Sequence, residues 1–510
     1  MVNLCCCKAV RSLFRDSAML HNEVAMSVVA VSPLHAPQPL YLQMASRMAA
    51  LIDSGAFRAG QRLPSVRDVA TQEGVSVSTA VQAFRWLEDK GLVQARPKAG
   101  YFVRSSRSRI ALPMVGRPPV HSVPVEQRAR TDVIRLEGQY PIQVNLGGTC
   151  PRDSMLFDED RVRVAVSRAA RVYRKTLVAY TNEAGTQALR NAVAQRALHL
   201  GCTLRGQDVV IASSCIQAVS LCLMAVTRPG DVVALESPTF FGFLDLLEAM
   251  NLRVVEIPSH PRTGLSLPAL QLALDTQPIK AVLAVPTLSN PLGAIMPLTE
   301  KKALVRLLHT YQIPLIEDVV FNDLLASDER RRAAKAFDTE GGVMVCGSFS
   351  KTLAPGIRLG WLEAGRWKDQ VATLKRVQGA ATNEVMEYAL ADLLTQSAYE
   401  AQMRRLSGTM KQRLKEARQW VSAQFPKGTR VSDPPAGYTL WVELPSGIDT
   451  MVLFEKAAQH GITFGPGQLF SATDRYSHCL RLSFSGAWAE PEKAALATLG
   501  ALAKALLLAV

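Results

Sequence analysis

Residues 347–361 read "GSFSKTLAPGIRLGW", and this stretch decides the fold. It continues an apolar run, "GVMVCGS" (342–348), of the length and composition of a buried strand. Pro355, Gly356 and Gly360 crowd the residues that follow. Lys351 stands between them, close to Ser348, Ser350 and Arg358. Working outward, similar short runs recur: "DVVIAS" (208–213), "DVVALES" (231–237), "IKAVLAVP" (279–286) and "IPLIED" (313–318). Helical stretches separate them. Nearly continuous apolar runs alternating with helices predict a parallel sheet covered on both faces, an α/β domain over residues 136–510.

A lone lysine after a strand is usually a solvated charge. Its companions argue for more. An amine that forms a Schiff base needs a carbonyl cofactor held rigidly against it. Pyridoxal 5′-phosphate makes four demands. Its phosphate takes hydroxyls, an arginine and N–H groups at a helix start. Its ring nitrogen takes a carboxylate, its O3′ a hydrogen-bond donor, and one ring face an aromatic side chain. The chain offers all four in order. "SPTFFG" (237–242) gives Phe240, "VPTLSNPLG" (285–293) gives Asn290, and "PLIEDVVF" (314–321) gives Asp318 at the C-terminal end of a strand, where ligands collect in such sheets. "SFSKTLAPGIR" (348–358) gives Ser348, Ser350, Lys351 and Arg358. Each alone has a duller explanation: a helix cap, a turn, a core ring.

Residues 39–103 have another character. "LYLQMASRMAALIDSG" (40–55) is a helix by its apolar spacing. "LPSVRDVATQEG" (63–74) starts a second, with Ser65 as N-cap and Gly74 as terminator. "VSVSTAVQAFRWLEDKG" (75–91) is the third, opened by Ser76 or Ser78. Val81, Phe84 and Leu87 line one side of it; Ser78, Gln82 and Arg85 share another, with Thr79 near the start. "LVQARPKAGYFV" (92–103) then reads as two strands around a basic turn. Three helices and a basic hairpin form a winged helix whose third helix enters the major groove of DNA. Arg67, Arg96 and Lys98 are its expected phosphate contacts. Residues 104–135, rich in Arg, Ser and Pro, read as a linker.

The head closely resembles the GntR-type winged helix, and residues 136–510 resemble the fold-type I aminotransferases. With both present the chain resembles the MocR subfamily of GntR regulators. That resemblance implies roles. Lys351 would carry the cofactor, Asp318 would pair with its ring nitrogen, Asn290 with O3′, and Phe240 would stack on the ring. Ser348, Ser350 and Arg358 would hold the phosphate, with Ser214 and Cys215 of "ASSCIQA" (212–218) in the phosphate loop. Tyr180 would reach the phosphate of a second subunit, which implies a homodimer. Arg481, in "CLRLSFSG" (479–486), would grip a carboxylate of a substrate or effector. Three positions depart from the pattern. Val77 replaces a common arginine of the recognition helix. Ser214 replaces a glycine, a costly change if that position needs positive φ. Phe321 replaces a tyrosine whose hydroxyl would donate to O3′, which should raise the pKa of the Schiff base.

The implied function is a regulator of promoter DNA that senses an amino compound, or the cofactor itself; the alternative is an active aminotransferase with an accessory DNA-binding head. Composition agrees with an anionic partner: the net charge is +14 over 510 residues, and between Leu40 and Ile110 basic residues outnumber acidic ones about two to one. Nine cysteines without a C-x-x-C pair after the opening "CCC" (5–7) argue against zinc and against a disulfide framework, and for a reducing cytoplasm. Residues 1–38 read as a disordered extension, with Met26 a second start. No run is long and apolar enough for a membrane span; the tail "AALATLGALAKALLLAV" (494–510) is expected to be an amphipathic helix.

Overall fold

The computed structural model describes residues 39–508 apart from 54–55, 58–59, 90–91, 97–98, 104–109, 117–120, 150–155, 180–182, 327, 380 and 474. Expectations for residues 1–38, Lys98 and Tyr180 fall outside the described residues. The chain parts into two compact units, Met1–Arg109 and Ile110–Val510.

The first unit is the expected winged helix. Its helices are α1 (Leu40–Asp53), α2 (Val66–Gln72) and α3 (Val77–Asp89). Two antiparallel strands, β1 (Val93–Arg96) and β2 (Gly100–Val103), form the wing. Ser65 caps α2 reciprocally: its hydroxyl accepts from the Asp68 N–H while the Asp68 carboxylate accepts from the Ser65 N–H. Ala80, Ala83, Phe84 and Leu87 bury one side of α3 against Met44, Ala45 and Met48 of α1.

The second unit is built on a nine-stranded sheet. Its order runs Val123–Pro124, Arg253–His260, Val232–Ser237, Ile279–Ala284, Leu315–Asp318, Val343–Ser348, Gly360–Glu363, Val209–Ala212, with Gly264–Leu265 paired to Arg253–His260. The five runs predicted as strands all lie here. Their neighbours are parallel; Gly360–Glu363 is inserted antiparallel between two of them. A smaller antiparallel sheet orders Arg430–Val431, Thr439–Glu443, Cys479–Ser483 and Gly465–Pro466. The tail is a helix, Glu490–Leu508. No helix among the described residues is long and apolar enough to cross a membrane.

The linker assignment is corrected from Ile110 onward. Val123–Pro124 pairs with Arg253–His260 at the sheet edge, and the helix Arg128–Gln139 buries Val133 and Leu136. The Met114 N–H donates to Glu443 Oε2 at 2.7 Å, and Arg253 donates to the Ser122 carbonyl at 2.6 Å. Composition signalled a linker because Arg, Ser and Pro stand out in this segment and its apolar residues keep no sustained period, although Val125 and Val133 are buried.

Candidate functional site

In a parallel sheet the C-terminal strand ends share one edge, and the site forms there. Asp318 ends Leu315–Asp318, Ser348 ends Val343–Ser348, and Ser213 and Ser214 follow Val209–Ala212. Arg358 precedes the antiparallel strand Gly360–Glu363, so it reaches the same edge. The register confirms the convergence: Ser348 pairs with Gly360, which pairs with Ala212. Phe240 caps the helix Phe241–Ala249, just beyond Val232–Ser237.

Ser214 corrects one expectation. Its φ is −170°, extended backbone open to any residue, so the missing glycine costs nothing. Its hydroxyl instead accepts from the Gln217 N–H at 3.1 Å and caps the helix Cys215–Val226. The obligatory glycine is across the sheet. A Cβ at Gly360 would lie 2.4 Å from the Ser214 carbonyl carbon and 2.7 Å from the Cys215 nitrogen. Arg358 has a left-handed φ of 56°, a costly conformation for arginine, here held beside the helix start.

Asp318 is buried and accepts from the Val320 N–H at 2.8 Å. Burial pushes its carboxyl up to about 6; the Val320 N–H, the Cys215 thiol and the charge of Lys351 act in the other direction. Burial also drives the Cys215 thiol well above its usual range. Lys351 Nζ donates to the Thr149 carbonyl at 3.1 Å, and the Tyr438 hydroxyl donates to the Lys351 carbonyl. Phe321 is buried edge-on against Tyr438, ring centroids 6.3 Å apart.

Arg481 is 1% exposed. It donates to Asn290 Oδ1 at 3.0 Å and to the Gly147 carbonyl, both uncharged. Its Nε has no hydrogen-bond partner among the described residues. Burial, aided by the nearby charge of Arg130, lowers its pKa to about 9. A buried cation with neutral partners and a spare donor is arranged for an anion that the protein itself does not supply. Because Asn290 accepts from Arg481 through Oδ1, its Nδ2 donor is left for another acceptor.

In the head, Arg67, Ser76, Ser78, Gln82, Arg85 and Arg96 are exposed and Thr79 is half-buried. The Ser76 hydroxyl is committed to the helix start, accepting from the Thr79 N–H at 3.1 Å and lying 2.8 Å from both the Ser78 and Thr79 hydroxyls. The Arg96 guanidinium stacks 4.2 Å above the Phe102 ring. Val77 is 50% exposed beside these serines. Sequence reasoning missed Arg62, whose backbone bridges Phe102 and whose exposed side chain lies at the wing turn near Gly100. It also missed Gly360, Tyr438 and Arg130, which carry no motif and matter only through what they touch.

Comparisons with known proteins follow the same division. The family model "Bacterial regulatory proteins, gntR family" matches residues 40–103, and "Aminotransferase class I and II" matches residues 147–497. The uncharacterized HTH-type transcriptional regulator YjiR of Escherichia coli is 33% identical over 461 residues, 90% of this chain and 98% of the relative. YdcR of the same organism, likewise described as an uncharacterized HTH-type transcriptional regulator, is 33% identical over 91% of this chain and 98% of its own. Among solved structures, Pyrococcus horikoshii kynurenine aminotransferase in complex with PMP matches with a TM-score of 0.68 and 25% identity, over 75% of this chain and 95% of its own.

Proposed function

The chain belongs to the HTH-type transcriptional regulators in which a GntR-family head precedes a class I and II aminotransferase domain, and on that premise we propose that it binds promoter DNA under the control of an amino compound, or of pyridoxal phosphate, sensed at Lys351. The carrying observation is the co-occurrence of an exposed recognition helix with a buried carboxylate, Asp318, that feels the charge of Lys351 but has no cation hydrogen-bonded to it among the described residues. Such a carboxylate fits a protonated pyridine nitrogen.

When bound, the cofactor supplies a carbonyl for amines and an electron-withdrawing ring. The residues around it have separable tasks. Lys351 would offer the amine and Asp318 would hold a proton at the ring nitrogen. Asn290 Nδ2 would donate to O3′. Ser348, Ser350, Arg358 and the N–H groups after Ser214 would hold the phosphate. Phe240 would cover a ring face, with Cys215 keeping its proton toward Asp318. Phe321 would bring no hydroxyl to O3′, which favours holding a ligand over fast turnover. Arg481 would take a carboxylate of the amino compound. A homodimer in which Tyr180 would reach the second subunit's phosphate would complete the site. The ligand shifts DNA affinity by favouring one of two dimer arrangements.

Equilibrium binding of duplex DNA at a series of salt concentrations tests the head. Affinity should fall linearly on logarithmic axes, and Arg67→Ala or Lys98→Ala should each reduce the slope by about one. Unchanged slopes in both variants mean the head is misassigned. The phosphate loop has its own test. Gly360→Ala should weaken cofactor retention by about tenfold or more, because the added methyl strikes backbone and overpacking costs about 1–3 kcal/mol. Gly356→Ala, with nothing within 4 Å of its added Cβ, is the control. The completeness of the Lys351, Asp318 and Arg481 set favours a second reading, an active aminotransferase with an accessory head. Steady turnover of amino acids at about 1 s⁻¹ or faster decides for it.

A further inference from the structure

Resting on that reading, we propose that the effector is an amino acid with a second acid group, its α-carboxylate on Arg481 and its distal carboxylate on Arg130.

Two guanidinium groups share one aromatic ring. Arg481 lies 5.5 Å from the centroid of Phe241, and Arg130, on the helix Arg128–Gln139, lies 4.7 Å from the same centroid. Phe470 flanks Arg481 at 4.9 Å, so a second aromatic ring lies against the buried cation. The two positive charges are close enough to oppose each other, which adds to the effect of burial on Arg481. Arg481 has only neutral hydrogen-bond acceptors and an unpartnered Nε. A single carboxylate relieves one cation. A diacid relieves both, and the aromatic ring they share suits the methylenes that join its two ends.

Arg130 is available for this task. Its partner is Asp245, at 3.7 Å, with side chains 33% and 38% exposed. A half-buried pair as long as 3.7 Å contributes little, so exchange of Asp245 for a ligand carboxylate costs little. The pair also gives the site a gate on specificity, because Asp245 repels an acid that fails to reach Arg130. A neutral amino acid of the same length finds Arg130 already satisfied and gains nothing there.

The test is a spectroscopic titration of the cofactor-loaded full-length protein with L-aspartate, L-glutamate and L-2-aminoadipate, each beside its neutral counterpart, L-asparagine, L-glutamine and L-norleucine. At least one diacid should bind about tenfold or more tighter than its neutral counterpart. Arg130→Gln should bring that ratio to within about twofold of unity. Asp245→Asn should raise the ratio, a change of opposite sign that loss of folding cannot produce. Equal affinities in the unaltered protein, or a ratio that survives Arg130→Gln, overturn the proposal while leaving the sensor reading standing. A cofactor spectrum that responds to no amino acid overturns both.

Discussion

Lys351→Ala should leave the protein without covalently held cofactor, and its DNA affinity should no longer move when amino compounds are added. The unaltered protein treated with pyridoxal phosphate and then borohydride should gain one cofactor mass at Lys351; the variant should gain none there. The physical ground is local. Lys351 occupies the turn after Val343–Ser348, with its amine 3.1 Å from the Thr149 carbonyl and its charge felt by Asp318. Its main chain is held by Tyr438. The buried lysines are committed elsewhere: Lys301 donates to the Arg330 and Arg332 carbonyls and Lys375 to the Glu183 carbonyl, while the half-buried Lys335 pairs with Asp338 and Glu363. Phosphate binding alone should still retain some cofactor in the variant, so mass and DNA response are the decisive readouts. A DNA response that persists in Lys351→Ala ends the sensor reading. A fixed mass elsewhere than Lys351 ends the site assignment.

Glu236→Gln should stabilise the protein above about pH 8 by a few kcal/mol and change little near pH 4.5. Glu236 lies in the strand Val232–Ser237, fully surrounded, and accepts from the Val285 N–H at the end of the neighbouring strand. Burial raises its carboxyl to about 8; the Val285 N–H opposes this and the charge of Asp318 adds to it. An acid raised on folding keeps a proton that the unfolded chain releases. Its contribution is therefore harmless below its unfolded value near 4.5, and stability falls as pH rises toward 8. Each pKa unit corresponds to about 1.4 kcal/mol. Glutamine keeps the acceptor oxygen and cannot ionise. Thermal or urea unfolding of both proteins across that range measures the difference directly. Parallel pH profiles for the two proteins would show that Glu236 titrates normally.

Much of the site was legible because its chemistry is local. A lysine after S-x-S, an aspartate closing an apolar run, and an Asn-Pro turn announce their places at or past strand ends within a few residues. Helix starts were equally legible: Ser65 and Ser76 cap the helices that their positions predicted. The strand runs at 209–212, 232–237, 279–284, 315–318 and 343–348 were found by their unbroken apolarity, which only a sheet covered on both faces requires. The linker failed this method, since its buried residues, Val125 and Val133, stand among Arg, Ser and Pro without a sustained apolar run. Ser214 failed as a worry about glycine because φ belongs to the loop and not to the residue name.

The sequence by itself determined which groups are present: a lysine after a strand, a carboxylate at a strand end, hydroxyls and an arginine beside them, and a GntR-family head. Those follow from side-chain chemistry and short-range spacing. The tertiary structure decided their electrical condition. Arg481 and Asn290 meet across 191 residues of chain, and Arg481 becomes a buried cation with neutral partners only because two sheets bring it there. Asp318 and Glu236 hold their protons to about 6 and 8 because packing removes water from them. Desolvation and long-range neighbours are properties of the fold, and no local pattern in the chain encodes them.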